Sequence, residues 1–213
     1  LKLNLPKLSA SLPQAGGSIQ GDVALSGTLK KPTASMTLNA KTLRWEELVT
    51  VQSVNVRGSV TPLPIVGGGL IVDVTGLKAE GVDVSQLSLR ASGDEKDQTL
   101  TVSVKGKPVG ADLALRGSLD REKGWKGTLY ESKLTTPVGP WKLANEVPLG
   151  FELKTGKVDV GAFCWTQSQS RICLDKPISV SDSGAAQVSI VDFNLDIIQS
   201  FLPVTTTLSG ALN

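Results

Sequence analysis

The chain contains no histidine, and this absence excludes several kinds of site. Histidine is the usual general base near neutral pH and a frequent zinc ligand, so neither a serine triad nor a histidine-containing metal centre can be assembled. Twenty carboxylates are present, but most lie singly in turn sequences such as Gly93–Asp97, where exposed charge is expected. We therefore expect no enzyme activity, no metal site and no cofactor.

Aromatic residues, net charge and long apolar runs are also scarce. Aromatic residues make up 4% of the chain, which argues against an outer-membrane barrel, because such barrels carry aromatic girdles. The net charge is +2 and the basic residues are scattered, so no nucleic-acid partner is indicated. The longest apolar stretch, Pro62–Val72, is interrupted by glycine and proline and falls short of the roughly 18–20 residues that span a bilayer as a helix.

The two cysteines, Cys164 and Cys173, flank a polar turn, and their spacing fits a β-hairpin in which they face each other. This register also places four apolar side chains together on the opposite face: Phe163, Trp165, Ile172 and Leu174. A disulfide closing so short a loop stabilises by roughly 2–3 kcal/mol and implies an oxidising compartment. Free buried thiols or a redox pair are the alternatives, although C-x8-C is not a thioredoxin-type motif.

Period-two alternation of apolar and polar residues dominates the chain and predicts β-strands. Hairpin registers follow from it, because a slip of one residue would turn each apolar set toward water. The predicted pairs are Leu87–Val104, Leu89–Val102 and Ala91–Leu100, then Leu115–Leu129, Gly117–Gly127 and Leu119–Trp125, and finally Phe151–Val160 and Leu153–Val158. They predict an all-β fold: an antiparallel meander of about 15 strands, curled into an open or folded-over sheet with an apolar groove inside.

Glycines recur on the apolar side of the strands, in "VALSGTL", "VNVRGSV", "LALRGSL" and "WKGTL". Two explanations are compatible: glycine bends a strand, or it clears space for a ligand. The predicted groove glycines are Gly27, Gly58, Gly117 and Gly127. The predicted lining residues are Leu25, Leu29, Val56, Val60, Leu89, Val102, Leu113, Leu115, Leu119 and Leu129.

The domain organisation is expected to be a single continuous β-repeat over residues 1–213. Within it, residues 193–202 are predicted to form a short amphipathic helix. Helical spacing is followed by Leu195, Ile198, Phe201 and Leu202, and Pro203 ends the pattern. Residues 204–213 read as the start of a further repeat. The chain opens inside an alternation and stops inside a repeat, so we expect it to be a piece of a longer protein.

Several motifs together resemble the TamB family, a branch of the AsmA-like, bridge-like lipid transfer proteins. They are "GWKGTL" (Gly124–Leu129), "LTTPVGPWKL" (Leu134–Leu143), the Cys164–Cys173 hairpin, "FNLDIIQSFLP" and the closing "LSGAL". Their order carries the resemblance, which is clearest over residues 117–213. The upstream segment Gly27–Leu38 matches the repeat style of the family.

The resemblance implies a periplasmic β-structure whose full-length protein is anchored in the inner membrane of a Gram-negative bacterium. It implies an apolar groove that shelters phospholipid acyl chains between the inner and outer membranes. It also implies a role in outer-membrane protein assembly and secretion together with the outer-membrane barrel TamA. The alternative is a chaperone-like scaffold that binds β-strands of outer-membrane protein or autotransporter precursors by β-augmentation.

Overall fold

The computed structural model describes residues 1–10, 12–62, 65–181, 185–194 and 211–212. Strands make up 74% of the described residues and the antiparallel sheet contains 16 of them, so the predicted all-β class is confirmed. The chain divides into two compact units, Leu1–Lys107 and Pro108–Asn213, which we call unit 1 and unit 2. Within the described part of the chain, no helix is both long and apolar enough to cross a membrane.

Unit 1 is a meander in which each strand pairs antiparallel with the next along the chain. A short 3-10 helix, Leu8–Ala10, contacts the second strand. The strands are β1 (Lys2–Leu5), β2 (Ala15–Thr28), β3 (Lys31–Trp45), β4 (Val49–Thr61), β5 (Gly67–Ala79), β6 (Val82–Asp94) and β7 (Gln98–Lys107).

Unit 2 contains two long strands followed by strands of 6 residues or fewer. They are β8 (Gly110–Asp120), β9 (Gly124–Thr136), β10 (Gly139–Leu143), β11 (Val147–Glu152), β12 (Val158–Val160), β13 (Phe163–Gln167), β14 (Ser170–Leu174), β15 (Ile178–Val180), β16 (Val188–Val191), β17 (Phe193–Asn194) and β18 (Ala211–Leu212). Strand β9 pairs with β8 on one side, and on the other with β11 along its first half and β10 along its second. Strand β13 pairs with β10 and β14, and β12 pairs with β11 and β15.

Most predicted registers are confirmed. The β6–β7 pairs Leu87–Val104, Leu89–Val102 and Ala91–Leu100 are present, as are the β8–β9 pairs Leu115–Leu129, Gly117–Gly127 and Leu119–Trp125. Cys164 faces Cys173 and forms the predicted disulfide, with Phe163–Leu174 and Trp165–Ile172 on either side. In all three hairpins, alternation and a short turn together specified the pairing.

The predicted register of the β11–β12 hairpin is wrong by two residues. Phe151 faces Val158 instead of Val160, and Leu149 faces Val160. The turn is wider than predicted, because Glu152 donates its backbone N–H to Lys157 O at 2.8 Å and Gly156 donates to Glu152 O at 2.9 Å. A slip of two residues keeps every side chain on its own face. Alternation therefore did not distinguish the two registers.

Most of the predicted helix, residues 195–202, lies outside the described residues. Its first two residues form the short strand β17, in which Phe193 pairs with Leu212 and Asn194 with Ala211. The helix and the further repeat at 204–213 stay predictions.

In unit 1 the hydrogen-bonded ladder is interrupted at one aligned position in each of five neighbouring strands. The residues there are Gly17, Thr42, Gln52, Gly76 and Ser85. Three of them have positive φ, 110° at Gly17, 51° at Thr42 and 61° at Gly76. Interruptions of this kind bend a strand and increase its twist. Because they are aligned, they bend unit 1 along one line across the strands, which we call the bend line.

Apolar residues resume on the far side of the bend line after a step of three positions instead of two. The steps run from Ala40 to Leu43, Val54 to Val51, Val74 to Leu77 and Leu87 to Val84. Leu43, Val51, Leu77 and Val84 again form one paired row. The sequence is therefore adapted to the extra residue that each strand carries at this line.

Replacing Thr42 by asparagine is expected to stabilise the protein. A β-branched residue at φ 51° is strained, whereas asparagine tolerates the left-handed region, so the free energy of unfolding should rise by about 1 kcal/mol. Urea denaturation measures the change. Thr37→Asn, at an exposed and regularly paired position of the same strand, is the control and should give no gain. An equal effect of the two substitutions would contradict the assignment of strain to Thr42.

Candidate functional site

One face of unit 1 is built from four successive rows of apolar residues. Directly paired residues of an antiparallel sheet lie on the same face, and neighbours along a strand alternate. The rows are Leu5–Ile19–Ala40–Val54–Val74–Leu87–Val104, Leu3–Gly21–Leu38–Val56–Val72–Leu89–Val102, Val23–Met36–Gly58–Leu70–Ala91–Leu100 and Leu25–Ala34–Val60–Gly68–Gly93–Gln98. We call these rows the apolar face. Its single polar member, Gln98, stands at the end of a row.

The rows between them form a polar face on the other side of the sheet. One runs Asn4–Gln20–Asn39–Asn55–Asp73–Ser88–Ser103. Here Ser88 Oγ donates to Asp73 Oδ1 at 2.8 Å and accepts from Arg90 Nη1 at 2.8 Å, and Arg90 lies 3.8 Å from the Asp73 carboxylate. Charge and hydrogen bonding in these strands are thus concentrated away from the apolar face.

Among the described residues of unit 1, no second layer of strands or helices packs over the apolar face. The principal contacts in the unit join neighbouring strands, and the main partner of the 3-10 helix is β2. Among the described residues of unit 1, Ala15 and Ala40 are the buried apolar side chains. Central residues such as Val72 and Leu89 are half-buried, and Met36 and Val60 keep 40% and 41% of their surface exposed. Unit 1 therefore presents a continuous aliphatic surface.

Unit 2 differs because aromatic side chains pack its apolar side. Of the nine aromatic residues in the sequence, Trp45 alone lies in unit 1. Trp141 and Val147 keep 3% and 1% of their surface exposed. Trp165 Nε1 donates to the buried Ser132 hydroxyl at 3.2 Å, and the aromatic pairs Phe163–Trp165 and Trp141–Phe193 have centroid distances of 5.3 and 5.9 Å. In the part of the chain that the structure describes, unit 2 therefore has a packed core and unit 1 does not.

The predicted lining residues fall into three groups. Leu25, Val56, Val60, Leu89 and Val102 lie on the apolar face of unit 1. Leu29 lies outside it, in the β2–β3 turn, and is 97% exposed. The unit 2 residues are half-buried on the apolar side of β8 and β9: Leu113, Leu115, Leu119 and Leu129.

Sequence reasoning missed about half of the apolar face. The unpredicted residues with large side chains include Leu38, Val54, Leu70, Val72, Val74, Leu87 and Val104. Each obeys the same alternation as its predicted neighbours, but the registers of β2 to β5 were not worked out from the sequence. The three-position spacing of apolar residues at the bend line would have fixed those registers.

The four predicted groove glycines have different physical causes. At Gly27, φ is 90° and an added Cβ would collide with the Lys31 carbonyl oxygen, so the β2–β3 turn requires glycine. At Gly58, an added Cβ would make ordinary contacts of 3.4 Å with Leu70 Cδ1 and Met36 Cγ. Alanine therefore fits at Gly58. The effect of glycine there is only that one position of the row has no side chain above the backbone.

Gly117 and Gly127 face each other, and the indole of Trp125 lies over both. A Cβ on Gly117 would be 2.7 Å from Trp125 Cε2 and 2.6 Å from Lys126 O, and a Cβ on Gly127 would be 2.5 Å from Trp125 Cζ2. The space left by this pair of glycines is thus occupied by a side chain of the protein itself.

Two tight turns are closed by aspartates, Asp94 at the end of β6 and Asp120 at the end of β8. Asp94 Oδ1 accepts backbone N–H groups of Lys96 and Asp97 at 2.7 and 3.1 Å, and these bonds lower the pKa of Asp94. The backbone N–H groups of Glu122 and Lys123 lower the pKa of Asp120 in the same way, at 2.9 and 3.1 Å. Both carboxylates are held ionised by the turns that they close.

Comparison with known proteins identifies a family and relatives among known proteins, and gives one negative result. A family model described as "TamB, N-terminal domain" matches residues 1–213. The translocation and assembly module subunit TamB of Haemophilus influenzae is 24% identical over 204 residues, which cover 95% of this chain and 16% of that protein. The chain thus spans less than a fifth of the length of this relative. No solved structure matches the chain.

Proposed function

The chain belongs to the TamB N-terminal domain family, and from this premise we propose that the apolar face of unit 1 shelters phospholipid acyl chains in transit. The full-length protein would be anchored in the inner membrane and extend through the periplasm. It would carry lipid between the inner and outer membranes and support outer-membrane protein assembly and secretion with its partner TamA.

The uncovered apolar face is the observation that supports this proposal. Seven strands about 4.8 Å apart give a surface roughly 30 Å across. Transfer of each methylene out of water is favourable by roughly 0.8 kcal/mol, so moving an acyl chain of about 16 carbons into water would cost about 13 kcal/mol. A single-layer aliphatic surface removes much of this penalty.

The chemistry of the face also suits movement along it. Apart from Gln98 at one end, its rows contain aliphatic side chains and glycine. Such a surface offers no charge or hydrogen-bonding group that would hold a lipid at one place. Binding is then similar at successive strands, as transport requires.

A photo-crosslinking experiment on the full-length protein in cells tests the proposal. The photoreactive residue p-benzoylphenylalanine replaces Leu89 on the apolar face or Ser92 on the polar face of the same strand. A lipid at Ser92 would lack the apolar contacts available at Leu89, and losing contact with only two methylenes costs about 1.6 kcal/mol, or more than ten-fold in occupancy. Phospholipid adducts at Leu89 should therefore exceed those at Ser92 by roughly ten-fold.

The possible adducts separate the two functions. Phospholipid adducts at Leu89 and few at Ser92 support the acyl-chain groove. Equal lipid adducts at both positions, or none, would refute it. Adducts with outer-membrane protein precursors at Leu89, in place of lipid, would favour the chaperone-like scaffold.

A further inference from the structure

The polar face of unit 1 carries a cavity that the proposed function does not use. Its volume is about 490 Å³, within the range of about 300–1,000 Å³ that is usual for small-molecule sites. The side chains around it belong to two neighbouring rows of the polar face, Arg57–Ile71–Arg90 and Ser59–Gly69–Ser92. We call this space the Gly69 cavity.

Two glycines show that the space opens on the polar face. A Cβ added to Gly58, which lies on the apolar face, would contact Met36 Cγ and Leu70 Cδ1 at 3.4 Å, so side chains already fill that position. A Cβ added to Gly69, on the polar face, would have Ala91 O at 3.5 Å as its sole neighbour within 4 Å in the described part of the chain. The missing side chain of Gly69 therefore leaves open space in the middle of its row.

Two guanidinium groups border the Gly69 cavity, and none of its described lining residues carries a carboxylate. Arg57 and Arg90 pair with Ile71 from opposite sides, so their backbones lie two strand spacings, roughly 10 Å, apart. Arg90 donates to Ser88 Oγ at 2.8 Å and lies 3.8 Å from Asp73 Oδ1. Arg57 has no side-chain hydrogen bond or ion pair with another described residue, so its charge is available to a ligand.

The other wall of the Gly69 cavity presents hydroxyl groups. Ser35 and Ser59 line it and make no side-chain hydrogen bond with another described residue. Ser92 lines it as well, and its Oγ lies 3.1 Å from Thr99 Oγ1. A hydroxyl can both donate and accept a hydrogen bond. This wall can therefore bond phosphate oxygens or the hydroxyl groups of an organic ligand.

We propose that the Gly69 cavity binds a phosphate monoester, with its phosphate between Arg57 and Arg90 and its organic part along the serine wall. The planar guanidinium group suits this ligand because it presents paired N–H donors to phosphate oxygens. An ester fits better than inorganic phosphate because the cavity is larger than a single ion requires. The site lies on the opposite side of the sheet from the apolar face, so it does not depend on acyl-chain binding.

Isothermal titration calorimetry of the chain tests the proposal with glucose 6-phosphate, inorganic phosphate and glucose as probes. Glucose 6-phosphate should bind more tightly than inorganic phosphate, and glucose should not bind. Arg57→Gln should weaken binding of glucose 6-phosphate about ten-fold, because charge-assisted hydrogen bonds to the phosphate are lost. Gly69→Val should weaken it by a similar factor, because the valine side chain occupies the cavity while remaining favourable in a strand.

Arg44→Gln is the matched control, because Arg44 is exposed, lies outside the cavity and carries the same charge. It should leave the affinity for glucose 6-phosphate unchanged. Equal weakening by Arg57→Gln and Arg44→Gln would overturn the site in favour of general attraction between charges. Binding that survives Gly69→Val would also overturn it.

Flotation with phosphatidylcholine vesicles, with and without phosphatidate, separates the two sources of a phosphate monoester. Phosphatidate-dependent flotation that Arg57→Gln removes and Arg44→Gln retains would support the site and identify its ligand as a lipid headgroup. Binding of glucose 6-phosphate without such flotation would support a soluble ester. Absence of binding to every phosphate probe, vesicles included, would overturn the proposal and leave the acyl-chain proposal unaffected.

Discussion

Alanine at Gly127 is expected to lower the free energy of unfolding by about 3 kcal/mol, whereas alanine at Gly58 should raise it by about 0.5 kcal/mol. A Cβ at Gly127 would collide with the Arg116 carbonyl oxygen and with the Trp125 indole. Backbone cannot yield there without breaking the β8–β9 pairing. At Gly58 the same Cβ meets flexible side chains at 3.4 Å, so the main effect is the lower entropy of the unfolded chain.

Urea denaturation of the two variants beside the wild type measures this difference. Gly117→Ala should behave like Gly127→Ala, because its Cβ would meet Lys126 O at 2.6 Å. Similar stability of the Gly127 and Gly58 variants would show that close backbone approach does not distinguish the two glycines.

Arginine at Leu89 should reduce hydrocarbon binding by unit 1 at least ten-fold. In the unliganded protein Leu89 is half-buried, and no described element of unit 1 forms a second layer over it, so the guanidinium can reach water and the sheet should fold. A bound acyl chain would bury that charge, at a cost well above the 1.4 kcal/mol that corresponds to ten-fold in affinity. Displacement of a fluorescent fatty acid by hexadecanoate measures the loss in the purified chain.

Ser92→Arg is the control, because Ser92 lies on the same strand, on the polar face and among uncharged row neighbours. It should leave hydrocarbon binding unchanged. Its structural effect is the loss of one exposed hydrogen bond between Ser92 and Thr99. Equal loss of binding in the two variants would point to a general effect of charge and against the apolar face as the binding surface.

The sequence predicted the fold class and most hairpins because alternation and short turns constrain each other. The Cys164–Cys173 hairpin illustrates this, since one register joins the sulfurs and also groups the flanking apolar residues. The β11–β12 hairpin shows the limit: its register depended on a wide turn closed by backbone hydrogen bonds of Glu152 and Gly156, which leave no mark in the alternation.

The candidate site was predicted less completely than the fold. Residues such as Val56 and Leu89 were placed on the apolar face by local pattern alone. The difference between the open side of unit 1 and the packed side of unit 2 depends on which side chains cover each face. Such contacts join residues far apart in the sequence, so local pattern does not reveal them. The indole over Gly117 and Gly127 is a case of this kind, because the direction in which Trp125 leans is set by its rotamer.

The bend line has a consequence for how such a protein can grow. Each strand from β2 to β6 contributes one residue to it at the same level, so no connecting loop determines where the sheet turns. An added hairpin whose two strands each carry a residue on the bend line would extend the sheet by about 10 Å and leave the bend unchanged. The length of the sheet across its strands is therefore set by the number of hairpins, and duplication of hairpin segments in the gene can change that length in equal steps.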